Sequence, residues 1–174
     1  MKKKLLAVLL WCVGIFAVIH ITDRFTQIEE NIMAITESTL NFITGFEGKR
    51  NKAYQDSKGL WTIGVGHLIK ADEEFLKTIT LTDHDVRELF KRDLRWCDEA
   101  VTNSVKVPLN QNQMDALYSL CFNIGETNFK KSTVVKKLNQ NDIQGAADAI
   151  LMWNKPEVLV KRRQKERALF LSSI

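Results

Sequence analysis

Residues 45 to 67 read GFEGKRNKAYQDSKGLWTIGVGH. Five glycines, two acids, one threonine and one histidine fall within this stretch. It divides into a helix end and a hairpin. Phe46 and Glu47 close an apolar run, and Gly48 is a natural stop, because a residue without Cβ enters the left-handed conformation that ends many helices. Asp56-Ser57-Lys58-Gly59 is turn chemistry. Leu60, Trp61, Thr62, Ile63 and Val65 are strand formers. Residues 52–69 are therefore expected to form a small antiparallel sheet. Gly64 and Gly66, on alternate positions, leave one strand face bare, which suits close approach by a backbone or a ligand.

The same hairpin folds Glu47, Asp56 and Thr62 toward one place. Two carboxylates and a hydroxyl facing one cleft suit glycoside hydrolysis. One carboxyl, protonated, gives its proton to the leaving oxygen, and the other stays ionised and handles water or the oxocarbenium charge. An apolar neighbour such as Phe46 favours the protonated form of Glu47, whereas Asp56 in an exposed turn stays ionised. Thr62 would hold the attacking water with Asp56. From spacing alone the ordinary alternative stands beside this one: a glutamate at a helix end, an aspartate in a turn and a threonine in a strand are all common.

Outward from the hairpin the chain reads as helical. Residues 24–46 keep apolar positions at helical spacing (Phe25, Ile28, Ile32, Ile35, Leu40, Ile43, Phe46), with a break expected near Thr36 to Ser38. Thr82 with Asp85 resembles a capping box and opens a long helix to about Val101. Met114, Leu117, Leu120, Cys121 and Ile124 form an apolar stripe ended by Gly125. Ser132 opens a short helix to Leu138. A further helix spans Asp142 to Trp153, and the last runs from about Leu159 to Leu171 beyond Pro156. The expected class is α+β: a small hairpin or sheet lobe and a mostly helical lobe joined by the long helix from Asp83, preceded by an N-terminal hydrophobic helix.

The chain has 174 residues and a formal net charge of +4. Lys2, Lys3 and Lys4 carry three of those charges, which leaves 22 basic against 21 acidic residues in the rest. A nearly neutral body argues against nucleic acid as a partner. After the lysines an apolar run reaches from Leu5 to Ile19, and Ile21 extends it past His20. Its 17 residues would span about 26 Å as a helix, just short of a ~30 Å hydrocarbon core. The lysines stay cytoplasmic by the positive-inside rule, and the remainder lies beyond the inner membrane. No small-x-small cleavage pattern follows the run, so an uncleaved but marginal anchor is expected rather than a removed signal. Three cysteines leave an odd one in an oxidising compartment. They read either as three independent apolar helix residues or as a Cys97–Cys121 pair with Cys12 as an exchange partner.

The spacing E-x8-D-x5-T across a helix end and hairpin, here Glu47, Asp56 and Thr62, resembles the catalytic signature of phage-type lysozymes, the endolysins of glycoside hydrolase family 24. WTIGVGH (61–67), FNIGETNF (122–129) and RRQKERALFL (162–171) are similar to further segments of that family in the same order, over about residues 38–174. The resemblance implies a lysozyme-like fold. It implies Glu47 as general acid, Asp56 and Thr62 as the pair that positions the nucleophilic water, and inversion at the β-1,4 bond between N-acetylmuramic acid and N-acetylglucosamine. It implies a structural pair of His67 with Asp93. It also implies a polar side chain, Asn123, at the sugar cleft or in a helix cap, and an arginine, Arg163 or Arg162, reaching Glu47. No metal or cofactor is implied, and a monomer acting on peptidoglycan glycan strands is expected.

An endolysin that begins with an uncleaved anchor resembles the signal-anchor-release endolysins, which the host export machinery places in the inner membrane inactive and which then escape to the periplasm. The expected organisation is an anchor at 1–25, a linker or helical stalk at 26–37 and the catalytic domain at 38–174. This anchor departs from the Gly- and Ala-rich pattern of such segments, so tethered activity stays an alternative to release. A lytic transglycosylase, working with one acid, and an inactive wall-binding protein are the rivals. Asp56 and Thr62 argue against the first, and the intact signature argues against the second.

Overall fold

The computed structural model of the chain describes residues 35–172, and the expected anchor and the first part of the 24–46 helix lie outside them. The described chain opens with helix α1, Glu37–Glu47. Thr36 caps it in a reciprocal box with Thr39, which satisfies two of the amide donors that a helix start leaves without partners. The break expected at residues 36–38 is this cap. Gly48 ends the helix at φ 76°, and its N–H reaches the Thr44 carbonyl. Only Gly48 and Lys49 separate Glu47 from the sheet.

Strands β1 (Arg50–Gln55), β2 (Trp61–Gly64) and β3 (His67–Leu68) form one antiparallel sheet in the order β1-β2-β3. Tyr54 pairs with Thr62 and Gln55 with Trp61, and the register shifts between Arg50 and Tyr54. The β1–β2 turn is closed by Asp56 N–H to Leu60 C=O (2.9 Å) and Gly59 N–H to Asp56 C=O (2.9 Å), with Gly59 at φ 76°. Ile63 pairs with His67 across the second turn. Gly64 and Gly66 sit at φ 65° and 77°, a backbone that L side chains rarely adopt. At Gly64 this corrects the expectation of a face kept bare for a ligand, whereas a Cβ on Gly66 would meet nothing within 4 Å. A Cβ on Gly64 would meet Leu89 at 3.5 Å and Val86 at 3.7 Å, so the neighbour is the long helix.

That helix, α2, runs from Asp83 to Ser104 behind the expected Thr82–Asp85 box. Its 22 residues span about 33 Å. It packs on β2 and β3 and also on the helices that follow, so it joins the sheet to the helical body. Central to that body is α3 (Gln111–Ile124), on which every residue from Asp115 to Cys121 is buried. Helices α1, α2, α4 (Glu126–Lys130) and α7 (Val160–Leu171) all pack against α3. Helices α5 (Thr133–Leu138) and α6 (Ile143–Ile150) pack on one another, and α6 also packs on α7. Ser132 and Asp142 cap α5 and α6 as their side-chain chemistry predicts.

Three differences from the sequence reading share one cause, the weakness of short-range signals. Ala71–Lys77 is a 3₁₀ helix with only Leu76 buried, too short and too polar to show an apolar period. The five residues of α4 bury only Phe129. Helix α6 stops at Ile150, and residues 151–153 close in tighter turns such as Trp153 N–H to Ile150 C=O (3.2 Å). Among the described residues no helix is long and apolar enough to cross a membrane. Cys97 and Cys121 are buried thiols, and Cys12 lies outside the described residues. Burial, and then the hydrogen bond with Cys121, push the Cys97 thiol far above its ordinary range, which keeps it inert.

Candidate active site

Glu47 is the last residue of α1, and its side chain is 28% exposed. Its Oε1 accepts a hydrogen bond from Arg162 Nη1 at 2.6 Å, across 115 positions of sequence. Arg162 on α7 is therefore the arginine that reaches Glu47, and the expectation for Arg163 is corrected. One residue further along the helix, Arg163 turns inward: its Nη2 donates to Asn123 Oδ1 (3.0 Å) and to Glu166 Oε1 (3.1 Å). The two arginines are neighbours in sequence, but a helix rotates successive side chains by about 100°. Only the fold decides which one faces α1.

Arg162 is held on every side. Its Nε donates to Glu166 Oε1 at 3.0 Å, and its Nη2 donates to the Ser119 carbonyl at 3.1 Å and hydroxyl at 3.2 Å. Its guanidinium lies 4.8 Å from the centre of the Phe46 ring, so the aromatic expected to shield Glu47 also carries the arginine. Lys165 Nζ is 5.6 Å from the same ring. Glu166, fully buried, was not singled out in the sequence. Its oxygen Oε1 also accepts from the Ser119 hydroxyl at 2.6 Å. Burial pushes the Glu166 carboxyl above its ordinary range, against the pull of Arg163, the Ser119 bond and Arg162. Arg163 Nε lies 3.0 Å from Glu166 Oε2, yet the two are not aligned as donor and acceptor, so they attract as charges without a hydrogen bond.

Asp56 and Thr62 are tied to one another through Leu60. Asp56 Oδ1 accepts from the backbone of Lys58 (2.8 Å) and of Leu60 (2.9 Å), an Asx-type turn. The Thr62 hydroxyl donates to the Leu60 carbonyl at 3.2 Å. The carboxylate therefore clasps one side of Leu60 and the hydroxyl the other. Both turn bonds of Asp56 fall on Oδ1, so Oδ2 is the oxygen left for solvent. Thr62 is only 5% exposed, which fixes its rotamer on the strand.

His67 and Asp93 pair as expected, with Nδ1 at 3.0 and 2.9 Å from the two carboxylate oxygens. The sequence reading missed the partner on the opposite side of the ring. Glu73, from the 3₁₀ helix, puts Oε2 2.9 Å from His67 Nε2, and Arg92 Nη2 bonds its other oxygen at 2.8 Å. Burial pushes the Asp93 carboxyl up, against the pull of His67. For Glu73 burial works in the same direction, but the His67 bond, the Lys70 backbone and Arg92 together leave it below the usual glutamate range. The His67 cluster thus joins β3, the 3₁₀ helix and α2 and stands apart from the Glu47 network, in keeping with a structural role. It borders a groove of about 460 Å³ that reaches Trp96 and Phe122. Those rings stack with centroids 6.3 Å apart. Asn123, next in sequence to Phe122, is exposed and spends its Oδ1 on Arg163, while Asn128 caps the end of α3 by donating to the Ile124 carbonyl at 2.8 Å.

Known proteins are similar to the chain over most of its length. The phage lysozyme family model matches residues 44–166. The chain is 48% identical over 146 residues to the endolysin of Salmonella phage P22, a match covering 81% of this chain and 100% of that one. It is 33% identical over 132 residues to the SAR-endolysin of Enterobacteria phage P21, covering 73% of this chain and 78% of that one. The crystal structure of a P22 lysozyme mutant matches with a TM-score of 0.74 at 47% identity, covering 79% of this chain and 97% of that one. A three-stranded antiparallel sheet, a mostly helical body and this relationship together define a lysozyme-like fold, and the chain belongs to the phage lysozyme family of endolysin muramidases.

Proposed function

We propose that the chain hydrolyses the β-1,4 bond between N-acetylmuramic acid and N-acetylglucosamine in peptidoglycan, with inversion, from the periplasmic face of the host membrane. Glu47 gives its proton to the leaving oxygen. Asp56 and Thr62 hold the water that attacks from the opposite face of the sugar, the division of labour an inverting hydrolase needs. Asn123, exposed near the end of α3 and bonded to Arg163, contacts the glycan. The observation that carries this reading is the clasp on Leu60, which sets a carboxylate and a hydroxyl on either side of one backbone unit while a second carboxyl waits at the end of α1. A one-acid enzyme has no need of that pair.

Residues 1–25 serve as a membrane anchor and 26–37 as its stalk, and departure of the anchor from the membrane activates the domain at 38–174. The apolar run behind three lysines supports this, as does the SAR-endolysin name of a relative. The chemistry is tested on purified peptidoglycan with the full chain and its Glu47→Gln variant. New reducing ends that vanish with Glu47→Gln are expected. Anhydro-sugar products, or activity persisting in Glu47→Gln, would sink the assignment. The anchor is tested by fractionating cells before and after collapse of the membrane potential. Protein that stays in the membrane fraction throughout would defeat release.

A further inference from the structure

The Glu47 network contains a buried anion with no part in the reaction as described. Glu166 is fully buried, 119 positions from Glu47, and never touches it, yet three groups converge on its Oε1: Arg162 Nε, Arg163 Nη2 and the Ser119 hydroxyl. A buried carboxylate is costly unless it is paired. Here it faces two guanidiniums, one of which reaches on to Glu47.

We propose that Glu166 is a positioning residue for Glu47: a buried anion that balances the two arginines and locks the fork of Arg162 onto the Glu47 carboxyl. The inference rests on Glu47 being the proton donor. A guanidinium has a rigid fork of donors. With Nε fixed on Glu166 and Nη2 on Ser119, the direction of Nη1 toward Glu47 is set. The charge count matters as much as the geometry. Glu47, Glu166, Arg162 and Arg163 sum to zero when all are ionised. Without the Glu166 charge the cluster gains one net positive charge beside the acid. A general acid must hold its proton until the leaving oxygen needs it, and an uncompensated cation opposes that.

The other charges near α7 do not take over this role. Lys165 lies over the Phe46 ring. On α3, Asp115 is buried but accepts from Thr39 and Gln111. On α6, Asp148 pairs with Arg167 at 2.7 Å. Glu157, on the short turn before α7, is exposed.

The test is the pH–rate profile of the full chain on peptidoglycan, with folded fraction measured by circular dichroism. Glu166→Gln keeps the shape and removes the charge. The expected result is a kcat lowered roughly 10- to 100-fold at little change in KM, because substrate contacts are untouched while the acid is misplaced. The falling limb at high pH should move to lower pH by about one unit. Adding Arg163→Gln to that variant restores the charge balance and should return the limb toward wild type. Ser119→Ala, a milder change that removes one bond to Glu166 and one to Arg162 but no charge, should shift the limb the same way by less. A melting temperature that drops while kcat per folded molecule and the profile stay at wild type would overturn the proposal and leave Glu166 as packing only. Should Glu166→Gln fail to fold, an unmoved Ser119→Ala profile overturns it equally. Activity surviving in Glu47→Gln would instead strike the functional reading itself.

Discussion

At the scale of single residues, the roles proposed for the acids and the hydroxyl follow from what each is bonded to. Thr62 shows this best: it is buried, its hydroxyl donates to the Leu60 carbonyl, and valine has the same branched shape without the hydroxyl. Thr62→Val should therefore keep the fold, with the melting temperature within a few degrees, while the hydrolysis rate falls roughly 10²-fold or more as the water loses a partner. A Thr62→Val enzyme of wild-type rate would remove Thr62 from the proposed mechanism. Glu73 gives a pH test. Its native value lies below the ordinary glutamate value of 4.5. A carboxyl lowered on folding adds stability that is fully present above the unfolded value and is lost as pH falls through the native one. Melting temperature should accordingly decline below about pH 4.5, and Glu73→Gln should flatten that part of the curve. His67, Asp93 and Thr62 were legible as residues, but Glu73 was not, because the ring and the guanidinium it meets come from other elements.

At the scale of elements, caps and turns were the most readable features, because their chemistry is local. Thr82, Ser132 and Asp142 each begin a helix, and Gly48 and Gly125 each end one. Thr82→Ala removes an N-cap and its reciprocal partner from the helix that joins sheet to body, and should cost about 1 kcal/mol, read as a lower midpoint in urea with unchanged slope. Gly64→Ala should cost more than its size suggests, because φ 65° strains any Cβ even though Val86 and Leu89 would be in ordinary contact. The 3₁₀ helix at 71–77 and the five-residue α4 escaped the sequence for the opposite reason. Each buries one apolar side chain, which is no period at all.

At the scale of the whole described molecule, α3 is the axis around which the site is assembled. It supplies Ser119 to the Arg162 network and Leu117, Tyr118 and Leu120 to the core, all fully buried. Leu120→Ala should destabilise by about 2–5 kcal/mol, and activity should follow the folded fraction rather than fall independently of it. The sequence by itself determined the class of fold, the caps and the hairpin, and it singled out Glu47, Asp56 and Thr62 for the proposed chemistry. Those follow from turn chemistry, side-chain period and a spacing that a resemblance makes specific. Tertiary structure alone decided that Arg162 rather than Arg163 holds Glu47, that Glu166 stands behind both arginines, that Glu73 closes on His67, and that Gly64 faces a helix. These contacts join residues 3 to 115 positions apart, or choose between adjacent residues on one helix. Local propensity carries no information about which face of a helix meets which neighbour; only the packing of α7 against α3 and α1 sets it.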